Sequence, residues 1–129
     1  MHYRSSAEPA AGVVEDIIAG GGRALSAQCD VTDSDGCTGL MAAAVEAFGR
    51  LDTVVANAGV YPVAELATMS VRQWREVVDT NLTGSFATVQ AAASAMGEQG
   101  GGGAIILIGS SRVRSLRGRT CTTARRRRQ

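Results

Sequence analysis

Four polar residues, each directly after a short apolar run, have types and positions suited to binding or catalysis. They are Asp30, Asn57, Ser110 and Ser111. Carboxylate, carboxamide and hydroxyl groups all form hydrogen bonds with a ligand. Taken singly, each is an ordinary turn or helix-capping residue. Their significance therefore depends on whether the fold brings them together.

Alternating helices and strands are predicted around these residues. Apolar side chains recur at helical spacing in three segments, and two of these segments end at glycine runs. Two short runs are apolar without alternation, which is typical of strands in a sheet covered on both faces. The predicted helices are 7–19, 32–49 and 70–96, and the predicted strands are 23–29, 51–56 and 104–108. Capping boxes are predicted at Thr32 with Asp35 and at Ser70 with Gln73. Trp74 is predicted to be a core residue.

Strand and helix alternation favours βαβ units with right-handed crossovers and hence a parallel sheet. In open sheets of this kind, ligands bind at the carboxyl ends of the strands. Asp30, Asn57 and Ser111 are therefore expected on one rim. The glycine runs 20–22 and 100–103 lead from helix to strand, the reverse of a phosphate loop, and are interpreted as helix caps and connectors.

Composition fits a single soluble α/β domain or part of one, with 129 residues and 45% hydrophobic content, and no apolar run long enough to cross a membrane. Cys29, Cys37 and Cys121 form no CxxC pair, and His2 is the only histidine, so a zinc site lacks ligands. The first two cysteines are interpreted as core thiols. Without a secretory signal, a cytoplasmic location is expected.

Five segments resemble motifs of the short-chain dehydrogenase/reductase family, in family order and spacing. Cys29–Asp33 resembles the Asp-Val pair after the third strand, and Phe48–Asp52 the lead-in to the fourth. Ala56–Gly59 is similar to the family's Asn-Asn-Ala-Gly motif, with alanine in the first place. Asn81–Gly84 matches the Asn-x-x-Gly segment, and Ile108–Ser111 the end of the fifth strand. The resemblance covers residues 7–111.

This resemblance implies a dinucleotide-binding (Rossmann-like) three-layer sandwich and a cofactor, NAD or NADP. It implies cofactor contacts from Asp30, Val31, Asn57, Ala58 and Gly59, with the Asp30 carboxylate accepting from the adenine amino group.

Catalytic roles follow from the same resemblance. Ser111 would hydrogen-bond the substrate oxygen, with Ser110 replacing it if the alignment is shifted by one residue. Asn81 would hold a water of the proton relay through its backbone carbonyl. The substrate would be a small alcohol or ketone.

Family features are also missing from these 129 residues. The family's catalytic tyrosine is followed four residues later by a lysine, whereas this chain has only Tyr3 and Tyr61 and no lysine. Tyr61 is interpreted as a loop or pocket-wall residue. No glycine-rich loop follows a first strand, so cofactor binding should be weak or lost. The chain is therefore expected to be an inactive fragment.

The strand order 3-2-1-4-5-6-7 that the resemblance implies raises a problem of topology. The first two strands and the carboxyl-terminal strands are expected to be missing, which would leave the third and fourth strands about 14 Å apart. Either the third strand moves over to pair with the fourth, or the fragment aggregates or finds a partner. By the same resemblance, Arg4 lies roughly at the position that follows the family's second strand. Two interpretations stay open: Arg4 faces a 2′-phosphate of the cofactor, or it is a solvated terminal arginine.

Residues 112–129 form a separate arginine-rich tail, expected to be disordered. It contains 8 arginines and no acid, whereas residues 1–111 contain 5 arginines and all 12 acidic residues. Translating one permitted codon choice for residues 121–129 from one base earlier gives Leu-His-Tyr-Gly-Ala-Ala-Lys-Ala-Ala. This restores the missing tyrosine and lysine, so we hypothesise that the tail is an out-of-frame translation.

Two other functions are left open by the sequence. The tail favours nucleic-acid or anionic-surface binding, although nucleic acid is the less favoured partner. The long helix 70–98 favours a non-catalytic partner of an intact relative or a homo-oligomer.

Overall fold

The computed structural model describes residues 1–109 as an α/β structure. Its strands are β1 (His2–Tyr3), β2 (Ala27–Gln28), β3 (Thr53–Ala56) and β4 (Ala104–Leu107). Its α-helices are α1 (Ala7–Ala19), α2 (Ser34–Phe48), α3 (Val71–Val78) and α4 (Gly84–Glu98). A 3₁₀ turn, Leu66–Thr68, precedes α3, and a π-helical turn, Asp79–Thr83, joins α3 to α4.

Local capping chemistry explains where the helices begin and end. Ser70 and Gln73 form the predicted capping box at α3, with the Gln73 N–H donating to Ser70 Oγ at 3.2 Å. At α2 the predicted capping box is wrong, because the Asp33 carboxylate is the cap and accepts from the Asp35 N–H at 3.1 Å. Gly49 ends α2 in the left-handed conformation, with φ 86°, which glycine adopts without steric cost.

The strands form two separate parallel pairs, β1 with β2 and β3 with β4. In the second pair Thr53 lies opposite Ala104 and Ala56 opposite Leu107. The strand predicted at 23–29, which corresponds to the family's third strand, is present as β2 and pairs with β1. The alternative in which it moves over to pair with the family's fourth strand, here β3, is therefore wrong. The sequence did not predict β1, because a two-residue strand has no detectable periodicity.

The core lies where α2 and α4 pack on β3. Its buried residues are Cys29, Val31, Cys37, Met41, Leu51, Val54, Ala87, Ala91, Ala92 and Met96. The small alanines of α4 allow close approach to α2. Cys29 and Cys37 are buried free thiols, as predicted, whereas Cys121 lies outside the described residues.

The helix α1 contacts β1 and contributes no residue to this core cluster. Val55, Ile106 and Ile108, on the face of β3 and β4 away from the buried Val54, are 46–56% exposed.

Two of the sequence predictions about the long helix need correction. The predicted helix 70–96 is interrupted by the π-helical turn. Trp74 is 48% exposed and Leu82 67% exposed, so the prediction that Trp74 is a core residue is wrong. Within residues 1–109, none of the helices has the length and apolarity to span a bilayer.

Candidate functional site

The carboxyl ends of β1, β2 and β3 converge on one pocket of about 220 Å³. Its lining comes from β1, from the segments after the three strands and from the π-helical turn: His2, Arg4, Asp30, Val31, Ala58, Gly59, Val60 and Thr80. This is the edge of a parallel sheet at which ligands bind. Four of the residues predicted for cofactor binding, Asp30, Val31, Ala58 and Gly59, line this pocket.

Asp30 supplies a fixed anionic acceptor at the pocket. Its Oδ1 accepts from the Thr32 N–H at 3.0 Å and from the Thr32 hydroxyl at 2.8 Å. These two hydrogen bonds, with a smaller contribution from the charge of Arg4, lower the pKa of the Asp30 carboxyl. The carboxylate is therefore ionised at neutral pH, and Oδ2 is the oxygen that Thr32 does not engage.

Arg4 and His2 provide the cationic and aromatic side of the pocket. The Arg4 carbonyl accepts from Gln28 Nε2 at 3.0 Å, and His2 Nε2 lies 2.8 Å from the Cys29 carbonyl oxygen. Both contacts tie β1 to the end of β2. The Arg4 side chain is exposed, and its charge acts on Asp30, so one pocket presents both charge signs.

The segment after β3 contributes small and apolar residues to the pocket. Ala58 and Gly59 line it, whereas Asn57 is exposed and lies outside its lining. A Cβ on Gly59 would lie 3.2 Å from Asn81 Oδ1. A larger residue there would require the Asn81 side chain to shift, so the segment packs closely on Asn81.

Asn81 fixes this segment from the π-helical turn. Its Oδ1 accepts from the Val60 N–H at 2.8 Å and its Nδ2 donates to the Val60 carbonyl at 2.9 Å. Its own backbone carbonyl accepts from the Ser85 hydroxyl at 2.7 Å. Within the described residues, Asn81 therefore acts on the loop after β3.

Ser110 and Ser111 lie outside the described residues. The strand that precedes them, β4, ends at Leu107, and the Ile108 N–H still donates to the Ala56 carbonyl at 3.1 Å. The described part of the chain thus leads towards the same rim. The proposed catalytic pair of Asn81 and Ser111 stays a prediction.

Four pocket residues were not predicted as site residues, namely His2, Arg4, Val60 and Thr80. His2 was considered only as a metal ligand, and Arg4 was left between two interpretations. Recognising the short strand β1 would have placed Arg4, since a residue after a parallel strand lies on the carboxyl rim. Val60 and Thr80 carry no chemical signature that a sequence could reveal.

A larger pocket of about 640 Å³ lies between α2 and α4. It is lined mainly by helix residues such as Met41, Ala91 and Ala95. It opens along the outer side of the helix pair rather than at the rim. The pocket at the rim is therefore the stronger candidate, because Asp30 and Arg4 place charges of both signs on it.

Fold and pocket together define a nucleotide-binding α/β domain of the doubly wound type. Residues 1–120 match the family model for short chain dehydrogenases. The chain belongs to the short-chain dehydrogenase family.

Curated relatives and solved structures agree with this assignment. The chain is 47% identical over 98 residues to an L-rhamnose 1-dehydrogenase (NAD(P)(+)) of Azotobacter vinelandii, covering 76% of this chain and 38% of that protein. It is 35% identical over 102 residues to a 3-oxoacyl-[acyl-carrier-protein] reductase of Synechocystis, covering 79% of this chain and 41% of that protein.

Among solved structures, a short chain dehydrogenase from Burkholderia cenocepacia in complex with NADP matches with a TM-score of 0.83 and 31% identity. The match covers 92% of this chain and 47% of that one. A short-chain dehydrogenase/reductase from Mycobacterium marinum matches with a TM-score of 0.80 and 36% identity over 85% of this chain. The chain thus spans less than half the length of these relatives.

Proposed function

We propose that this chain carries the adenosine-binding part of an NAD(P)-dependent oxidoreductase acting on a small alcohol or ketone. The observation that carries the proposal is the pocket at the rim, with the ionised Asp30 and the small residues Ala58 and Gly59 on its wall. Family membership, the NAD(P)(+) in the rhamnose dehydrogenase name and the NADP of the Burkholderia structure all point to the same cofactor class.

The residues at the rim fit adenosine by their chemistry. An ionised carboxylate with Oδ2 free of Thr32 is the acceptor that an exocyclic amino group needs. Val31 and Ala58 add apolar surface for a flat base. Arg4 is a cation beside the same pocket, which suits a 2′-phosphate and therefore NADP.

Pyrophosphate binding lacks a corresponding element in the described residues. Gly20–Gly22 follow α1 and Gly100–Gly103 follow α4, so neither run precedes a helix N-terminus. We therefore expect this chain to bind the adenosine end of the cofactor weakly.

Catalysis by the 129 residues is expected to be near background. When bound, the cofactor would supply hydride chemistry, and Ser111 and Asn81 would position the substrate oxygen and a water. The sequence contains no lysine, and Tyr61 is 51% exposed and lies outside the pocket lining. Loss of a general acid–base group typically lowers rates by about 10²–10⁴-fold.

Titrating the protein into NADPH and NADH while recording nicotinamide fluorescence tests the proposal. We expect weak saturable binding that becomes about tenfold weaker in Asp30→Asn, because a hydrogen bond to a charged group is lost. Asp16→Asn, an exposed carboxylate on α1, is the matched control and should bind as the parent does. Equal binding by both variants would contradict the assignment of Asp30.

The preference for a 2′-phosphate is tested with Arg4→Ala. This variant should lose affinity for NADPH and keep its affinity for NADH, whereas Arg72→Ala on α3 should change neither. Equal losses for both cofactors would mean that Arg4 does not contact the 2′-phosphate.

A further inference from the structure

The imidazole of His2 is a polar group of the rim pocket to which the proposed function gives no role. His2 lies on β1, is half-buried, and lines the same pocket as Asp30. The pKa of the Asp30 carboxyl, which the Thr32 hydrogen bonds lower most, is also lowered by the charge of His2. The ring and the carboxylate are therefore close enough to act on the same ligand.

A hydrogen bond to the backbone determines which ring nitrogen of His2 carries the proton. His2 Nε2 lies 2.8 Å from the carbonyl oxygen of Cys29. A carbonyl oxygen only accepts, so Nε2 donates, and the neutral ring then has an unprotonated Nδ1 that accepts hydrogen bonds. Cys29 directly precedes Asp30, and its N–H donates to the Tyr3 carbonyl at 3.0 Å. Residues of β1 thus hold both backbone groups of Cys29, which fixes the imidazole relative to Asp30.

The pocket contains two hydrogen-bond acceptors that the fold leaves unengaged. His2 Nδ1 has no hydrogen-bond partner within residues 1–109. Both Thr32 contacts of Asp30 are made by Oδ1, which leaves Oδ2 as the second acceptor. Val31 and Ala58 supply apolar surface beside them. Two acceptors beside an apolar wall suit a flat ligand whose amino group carries two N–H donors.

We propose that His2 is a specificity-determining residue of the adenosine site, where Nδ1 accepts one N–H of a purine 6-amino group while Asp30 accepts the other. This inference rests on the proposed function, which supplies the adenosine and the role of Asp30. It adds a preference for 6-aminopurine over 6-oxopurine nucleotides. A 6-oxo group is itself an acceptor, so it would leave both protein acceptors without a donor.

Isotope labelling of the only histidine in the sequence tests the contact directly. The full chain, produced with ¹⁵N-labelled histidine and without a histidine tag, gives ring-nitrogen signals from His2 alone. At pH 8, where histidine is ordinarily neutral, we expect a protonated Nε2 and an unprotonated Nδ1. Adenosine 5′-monophosphate should shift the Nδ1 signal saturably, whereas inosine 5′-monophosphate at the same concentrations should not. A protonated Nδ1, or an Nδ1 signal that saturating adenosine monophosphate leaves unshifted, would overturn the proposal.

Affinity ratios separate recognition of the base from a merely structural role. His2→Phe keeps an aromatic ring without either nitrogen, so it should bind adenosine monophosphate about three- to tenfold more weakly. The preference for adenosine over inosine monophosphate should narrow by the same factor, because the inosine nucleotide gives Nδ1 no donor. Tyr3→Phe, on the same strand but outside the pocket lining, is the matched control and should leave both affinities unchanged. An unchanged preference in His2→Phe would refute the role of His2.

The inference about His2 and the proposed function fail in different ways. If adenosine monophosphate gives no saturable shift anywhere in the protein, the proposed function fails, and the role of His2 fails with it. If the nucleotide binds and Asp30→Asn weakens binding, while the Nδ1 signal and the base preference do not respond, only the role of His2 is refuted. If far-UV circular dichroism shows that His2→Phe is unfolded, the labelled parent protein still decides the question.

Discussion

Replacing Gly84 by alanine is expected to lower the free energy of unfolding, even though alanine is the better helix former. Gly84 is buried at the start of α4, with helical dihedral angles of φ −64° and ψ −38°. A Cβ built there would lie 2.7 Å from Val31 Cγ2 and 3.3 Å from the Val31 carbonyl oxygen. Val31 follows Asp30, so this contact holds the end of β2 against α4.

Two opposing effects set the size of the change. Alanine in a helix interior is favoured over glycine by about 1 kcal/mol. Overpacking a close-packed contact costs about 1–3 kcal/mol. Gly39→Ala in α2, where an added Cβ would meet nothing within 4 Å, isolates the first effect. The variant at Gly84 should therefore be about 1–3 kcal/mol less stable than the variant at Gly39.

Urea unfolding followed by far-UV circular dichroism measures this difference. Combining Gly84→Ala with Val31→Ala removes the contacting methyl group, so the alanine at position 84 should cost less in that background. A Gly84→Ala protein as stable as Gly39→Ala would refute the close contact. If the losses in unfolding free energy of the two single variants simply add in the double variant, the role of Val31 is refuted.

Three further predictions follow from single sites. Burial, with a further contribution from Cys37, raises the pKa of the Cys29 thiol to about 11 from 9.0. The thiol therefore ionises at lower pH in the unfolded chain than in the folded one, and the free energy of unfolding should fall by about 1–3 kcal/mol between pH 9 and 11. A Cys29→Ala protein with the same decline would contradict this. Phe86 is 63% exposed on α4, so Phe86→Glu should reduce self-association in sedimentation velocity. Ala11→Glu, at an exposed position of α1, should not. Equal association of the two variants would exclude this face of α4. The coding DNA for residues 121–129, read in the frame that starts one base earlier, should encode a tyrosine and, four residues later, a lysine. Codons that do not encode this pair in that frame would refute the out-of-frame hypothesis.

The alternation of elements could be predicted because each long helix carries its own periodicity and boundary signals. The bounds of α1 match the prediction, Ala7–Ala19, and the Ser70 capping box is present. Asp30 and Ala58 meet at one rim because both follow parallel strands, which is a rule of topology rather than of local sequence.

Other features depend on tertiary contacts that a single sequence does not encode locally. The strand β1 is two residues long and exists through its bonds to Ala27 and Cys29. The 3.6-residue periodicity of apolar residues does not predict the π-helical turn, although this turn places the Asn81 carboxamide against Val60. Trp74 shares a helical face with apolar residues, but that face is not covered by any described element.

Binding of adenosine 5′-monophosphate, mapped by amide chemical shifts, tests the central claim most directly, since it needs neither a pyrophosphate loop nor catalysis. The assignment of the rim pocket predicts that the shifted amides cluster at Asp30–Thr32 and Ala58–Val60, and that Asp30→Asn weakens the effect. Shifts confined to the groove between α2 and α4, or no saturable shifts at all, would contradict it.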